Sequence, residues 1–193
     1  MSCLLFQRIS RWWASKGFGL QSPFAYRLQM EVIGQSLPYY AYLWLAEKRK
    51  QMPQHTTRQW DELLFRLANY LQPHTVVIPD KGWETARMYI EAACSKALWS
   101  SVSDRADTAS SFIHPVMYGN SLYDMTEEQL ESVLQRMSEQ DLMVVSDIRK
   151  RKDLWIYLQK HPHVTVTFDL YNRGLVFFSV KTTSGHYVTT PYQ

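Results

Sequence analysis

His74-Thr75-Val76-Val77-Ile78-Pro79-Asp80-Lys81-Gly82-Trp83-Glu84 is the stretch that decides the fold. A short β-branched run is closed by Pro79 and Gly82, and helix-periodic sequence follows from Thr85 to Cys94; this reads as strand, turn, helix. Such a unit opens a parallel sheet, and open α/β sheets bind ligands beyond the carboxyl ends of their strands. The turn is therefore the first place to seek a cofactor. Its composition suits the task poorly. Gly82 is its one glycine, whereas a backbone that must approach a ligand closely usually needs several, because each Cβ holds the ligand off.

Upstream, the chain reads as helices. Residues 4–14 put Leu5, Ile9, Trp12 and Trp13 on one face. Ser22-Pro23 starts a helix running to Ile33, with a capping hydroxyl followed by a residue preset for the first turn. Tyr40–Lys50 and Arg58–Leu71 follow, the latter stopped by Pro73. Downstream, strands and helices alternate: a strand at Ala97–Val102, one at Ile113–Tyr118, a loop at Gly119-Asn120-Ser121, and a helix at Thr126–Met137. A strand at Leu142–Ser146 and a helix at Lys152–Lys160 come next. A hairpin of Val164–Leu170 and Leu175–Val180 turns at Asn172-Arg173-Gly174, and His186–Thr190 is a final short strand. The expectation is a helical layer over residues 1–72 packed on a three-layer α/β domain with a mixed sheet over 73–193.

Composition narrows the function. Seven glycines in 193 residues is about half the usual usage, against a protein built on glycine-rich phosphate loops. Two cysteines make no disulfide framework, which points to the cytoplasm. No apolar run approaches the ~20 residues of a membrane span. A net charge of +3 does not by itself call for nucleic acid. No Gly-x-Ser-x-Gly elbow occurs, and the histidines lack metal-ligand spacing.

Several motifs together resemble one bacterial branch of the class I S-adenosylmethionine (SAM)-dependent methyltransferases. Gly19-Leu20-Gln21-Ser22-Pro23-Phe24-Ala25-Tyr26 is similar to that branch's G-V-H-S-P-F-x-Y signature, with Gln21 for His. Leu63–Tyr70 resembles its helix before strand one, and Val144–Ile148 its F-D-D-I strand. Asp169–Phe178 resembles its closing hairpin. The resemblance implies a Rossmann-like class I methyltransferase fold. Only about a dozen residues separate strand two from the Val116–Asn120 stretch that resembles the family's fourth strand, too few for a helix–strand–helix crossover. The family's third strand is therefore expected to be deleted, leaving the order 2-1-4-5-7-6 in the family's strand numbering.

The departures fall on the cofactor site. Set against the family's E-L-G-x-x-x-G turn, this chain has Ile78 for the acid, and Asp80 and Glu84 for the glycines. No acid ends strand two, and Asp104 is a candidate stand-in for the ribose-binding carboxylate. The residues left to line a vestigial site are Asp80, Gly82, Asp104, Asn120 and Asp147. A carboxylate beside SAM's own carboxylate repels it. A lost charge-assisted hydrogen bond costs about 1.5–3 kcal/mol, so two such losses weaken binding roughly a hundredfold or more. The expectation is a degenerate methyltransferase with weak or no SAM binding and a binding or assembly role. The alternatives are an active SAM-dependent methyltransferase with an atypical loop, and a nucleic-acid-binding module using Arg149-Lys150-Arg151-Lys152. No metal site is expected, because Asp147 alone does not make one. The aromatic N-terminal layer is the expected surface for a protein partner or a homodimer.

Overall fold

The computed structural model describes residues 20, 22–102, 113–178 and 183–189. The helix expected over residues 4–14 and Asp104 lie outside them.

Helix α1, Pro23–Leu28, begins where Ser22 Oγ accepts from Ala25 N. It then widens into a π-helical turn, Gln29–Ile33, which periodicity does not announce. The carbonyls at its end are satisfied by Arg66, buried in the next layer, whose Nε donates to Val32 O at 2.7 Å. Helix α2, Ala41–Arg49, packs Tyr42 and Leu45 against Phe65 and Tyr89. Helix α3, Arg58–Leu71, is capped by Thr57 and ends at Gln72, which turns left-handed (φ +48°) before Pro73. Its Trp60, Leu63, Leu64 and Leu67 face the sheet, while Asp61 and Phe65 face α2 and its following loop.

The sheet comprises β1 (Thr75–Ile78), β2 (Leu98–Ser101), β3 (Val116–Ser121), β4 (Leu142–Ser146), β5 (Val166–Asp169), β6 (Arg173–Phe177) and β7 (Gly185–Val188). Their order is β2-β1-β3-β4-β6-β5-β7. Strands β2, β1, β3 and β4 are parallel, and β6 is antiparallel to both β4 and β5. Among the described residues this is, in the family's numbering, 2-1-4-5-7-6 with no third strand, as expected, plus β7 running parallel to β5 at the edge. Helices α1, α3 and α4 (Glu84–Ala93) cover one face. Helices α5 (Glu127–Leu134) and α6 (Lys152–Lys160) cover the other. This is a Rossmann-like class I methyltransferase fold.

Two expectations need correction. Gly119-Asn120-Ser121 is the carboxyl half of β3, not a loop, and the strand begins at Val116 rather than Ile113. Its register against Val144–Ser146 of β4 supplies the ladder that small polar residues do not favour alone. The hairpin also turns earlier than Asn172-Arg173-Gly174. Leu170 N donates to Arg173 O at 2.8 Å, Tyr171 takes the positive φ of +82°, and Arg173 and Gly174 already belong to β6.

Candidate active site

The carboxyl edge of the parallel strands holds four of the five residues singled out from sequence: Asp80 and Gly82 after β1, Asp147 after β4, and Asn120 within β3. The first group follows β1. Asp80 Oδ2 accepts from Ser101 Oγ at 2.6 Å, tying the turn to the end of β2. Gly82 has φ +80°, which side chains rarely adopt, and no protein atom lies within 4 Å of where a Cβ would stand, so the backbone angle and not protein packing calls for glycine there. Its N–H donates to Glu84 Oε1 at 3.0 Å. That amide is one of the few groups in the turn able to meet a ligand carboxylate, and the chain's own carboxylate has taken it. A hydrogen bond from its own backbone N–H outweighs the upward push of burial and, with the bond from Gly82, holds the Glu84 carboxyl below the ordinary range.

Trp83 dominates this group. It is the residue before α4, makes no side-chain cap, and is only 8% exposed. Its indole lies over Gly119 of β3, with Cζ3 2.7 Å from where a Cβ on Gly119 would stand; Ile78 Cγ2 closes in from β1 at 3.1 Å. The ring belongs to the same apolar cluster as Ile78, Val144 and Leu170. The space between the ends of β1 and β3, on the face covered by α3 and α4, is therefore filled by side chain. Open volume remains around the turn, about 260 Å³ beside Trp83, Glu84 and Met88 and about 170 Å³ beside Asp80, Arg87 and Trp99, the two sharing Ile78, Pro79, Asp80 and Arg87 as lining.

The second group follows β3 and β4. Asp147 has φ +58° and accepts from Ser121 Oγ at 2.9 Å; Lys150 Nζ lies 3.0 Å from its other oxygen. Burial pushes the Asp147 carboxyl up, but the bonds from Lys150 and Ser121 together with the Lys150 charge outweigh it, so the group titrates below the usual carboxylate range. Asn120 stands apart from both groups. It alternates to the opposite face of the sheet from Gly119, where Nδ2 donates to the Tyr118 hydroxyl at 3.4 Å, and it lines a cavity of about 220 Å³ with Val77, Met125 and Val133. The structure thus brings Asp80 and Gly82 together, leaves Asp147 across β3, and turns Asn120 away.

The sequence reading missed Gly119 as the floor under Trp83, Ser101 as the partner of Asp80, and Ser121 as the partner of Asp147. Alternation from Val116 predicts that Gly119 faces α4, but only after β3 is extended through it. The cationic run 149–152 is largely engaged by the chain itself. Arg149 stacks on Tyr171 with Cζ 4.5 Å from the ring centre, Lys150 pairs with Asp147, and Arg151 binds Asp153 and the Met125 carbonyl. At the opposite edge, Ser138, His114 and Asp141 cluster. Ser138 Oγ (3.1 Å) and the Asp141 carboxylate (2.9 Å) both meet the same ring nitrogen, Nδ1, so the trio cannot pass a proton across the ring as a nucleophile–base pair requires. Among the described residues, no group of three His, Cys, Asp or Glu side chains could hold a metal ion, and no helix is long and apolar enough to cross a membrane.

No family model and no curated protein matches the chain. Solved structures do. A putative caffeoyl-CoA O-methyltransferase from Staphylococcus aureus superposes with a TM-score of 0.54 at 10% identity, over 73% of this chain and 93% of that one. A methyltransferase from Geobacter sulfurreducens superposes with a TM-score of 0.51 at 18% identity, over 75% of this chain and 92% of that one. At these identities the likeness is one of fold.

Proposed function

We propose that this protein is a degenerate relative of the bacterial SAM-dependent methyltransferases, with weak or no affinity for SAM, and that it serves as a binding or assembly module. One observation carries the reading: the Trp83 indole rests on Gly119, in the space between the ends of β1 and β3 where a donor would lie. The internal engagement of the Gly82 amide by Glu84 and of Asp80 by Ser101 supports it. So does the fold, which keeps the layout of a methyltransferase while the first turn has lost the family's glycines. Expelling a packed indole to admit a ligand would subtract its burial energy, about 1.5–3 kcal/mol or more for a large apolar side chain, from any binding free energy. The reading includes a cytoplasmic location, in keeping with the free, buried thiol of Cys94.

Isothermal titration calorimetry with SAM and with its demethylated product tests it. The expected result is no heat of binding up to millimolar ligand. A dissociation constant in the micromolar range or below would overturn the reading and favour the alternative, a methyltransferase with an unusual cofactor loop in which Gly82, Asp104 and Asn120 line the site.

A further inference from the structure

We infer that the outer face of α2 pairs with a second copy of this chain, the two helices lying antiparallel across a twofold axis. The inference rests on reading the chain as an assembly module, but it requires nothing of the SAM site.

The inner face of α2 is spent: Tyr42 and Leu45 are buried against Phe65 and Tyr89. The outer face is unusually apolar for a surface. Tyr40 is 91% exposed, Leu43 75% and Trp44 42%, at the spacing that makes one helical stripe, and Leu37 just upstream is 68% exposed. An aromatic side chain offers roughly 150–250 Å² for burial, so the stripe is comparable to the largest apolar patch of ordinary monomers, roughly 300–600 Å². A stable interface needs about 800 Å² from each partner. The stripe supplies its apolar centre, with the flanking charges as its rim.

The charges select the occupant. Glu47 continues the same stripe one turn beyond Leu43 and Trp44, is 71% exposed at its side chain, and holds Lys50 at 2.8 Å; Lys48 lies over the Trp44 ring. A lipid surface has nothing of opposite charge to offer that carboxylate at the end of the stripe. A second copy has a use for it. The start of α2 carries partial positive charge, yet its first turn contains no acidic residue and Tyr40 provides no side-chain cap. Tyr40 and Glu47 lie two turns apart, and the midpoint between them falls between Leu43 and Trp44. A twofold axis through that midpoint brings each Glu47 to the other copy's uncapped start. It also sets each Lys48 beside the other's Tyr40 ring and packs Leu43 and Trp44 on their counterparts. The face is self-complementary, which is what a twofold contact demands.

Sedimentation equilibrium of the full chain, between about 1 and 100 µM, tests this. The expected result is a reversible dimer. Leu43→Glu should weaken it at least tenfold, with circular dichroism unchanged and Tm unchanged at concentrations where both proteins are monomeric, because Leu43 packs little within the monomer. Glu47→Lys should also weaken it. In a Cys3→Ser background, Leu43→Cys should form an intermolecular disulfide under mild oxidation. A monomer at every concentration would overturn the inference, as would a dimer indifferent to Leu43→Glu or one that fails to cross-link through Leu43→Cys. Binding to anionic vesicles that is lost in Leu43→Glu, with the protein monomeric throughout, would assign the stripe to a lipid surface instead. None of these outcomes bears on the calorimetry with SAM, so the two readings fail separately.

Discussion

Two tryptophans lie on two glycines, one on each face of the sheet, and they do different work. On one face Trp155, from the middle of α6, covers Gly174 of β6, where a Cβ would stand 2.5 Å from the ring. On the other, Trp83 covers Gly119 of β3 at 2.7 Å, but it comes from the turn before α4. Trp155 sits where any helix laid on a sheet places its apolar side chain. Trp83 occupies the end of the first parallel strand, the position that this kind of sheet ordinarily reserves for a ligand. The same packing device closes a core in one place and a crevice in the other. On the proposed reading, the turn that carries Asp80 and Glu84 in place of the glycines also contributes a side chain, Trp83, that joins the core.

Truncating either ring should cost most. Trp83→Ala and Trp155→Ala should each lower the unfolding free energy in urea by about 3–5 kcal/mol. A cost near zero for Trp83→Ala would mean that its ring is not packed as core, and the comparison would break. Adding a methyl beneath each ring should cost less. Gly119→Ala and Gly174→Ala should destabilise by about 1–3 kcal/mol each through overpacking. In a Trp83→Ala background Gly119→Ala should cost little, a coupling readable as a double-mutant cycle.

Helix starts sharpen the contrast further. Thr126 and Gln129 form a reciprocal capping box at α5, whereas α4 starts on Trp83 with no side-chain cap. Thr126→Ala should cost about 1 kcal/mol. No comparable loss of a cap accompanies Trp83→Ala, whose cost is core burial alone. The smallest effect belongs to Asp147. Its folded-state pKa lies below the unfolded value, so its contribution is present above the unfolded pKa of 3.8 and fades as pH falls through the folded one. Asp147→Asn should therefore be less stable than the parent at neutral pH and equal to it in strong acid, measured as Tm against pH. Buried Asp61 runs the other way. Burial raises its carboxyl over the opposing bonds from Arg49 and Thr56, so its contribution is largest below 3.8 and declines as pH rises through the raised pKa.

Much of this was legible in the residues. Arg58–Leu71, Leu142–Ser146 and Lys152–Lys160 run between the bounds that periodicity and Pro73 or Pro162 suggest, and the strand order is the one the family resemblance implies once the short path between β2 and β3 removes the third strand. The extension of β3 through Gly119-Asn120-Ser121 was not legible, because those side chains favour turns and only pairing with β4 makes them a strand. That one shift also decides the site. With residues 119–121 in a ladder, Gly119 and Asn120 face opposite ways, and a pair that looks like one loop in the sequence divides between Trp83 and the far cavity. The paired buried charges of Arg49 and Asp61, which tie α2 to α3, carry no local pattern at all, since their meeting depends on the loop between those helices.

A crystal structure of the full chain grown with millimolar SAM tests the central claim most directly. The account predicts that the Trp83 indole stays on Gly119 and that no donor density is found at the end of β1. SAM seated against Lys81 and Gly82, with the indole swung out of the core, would contradict it.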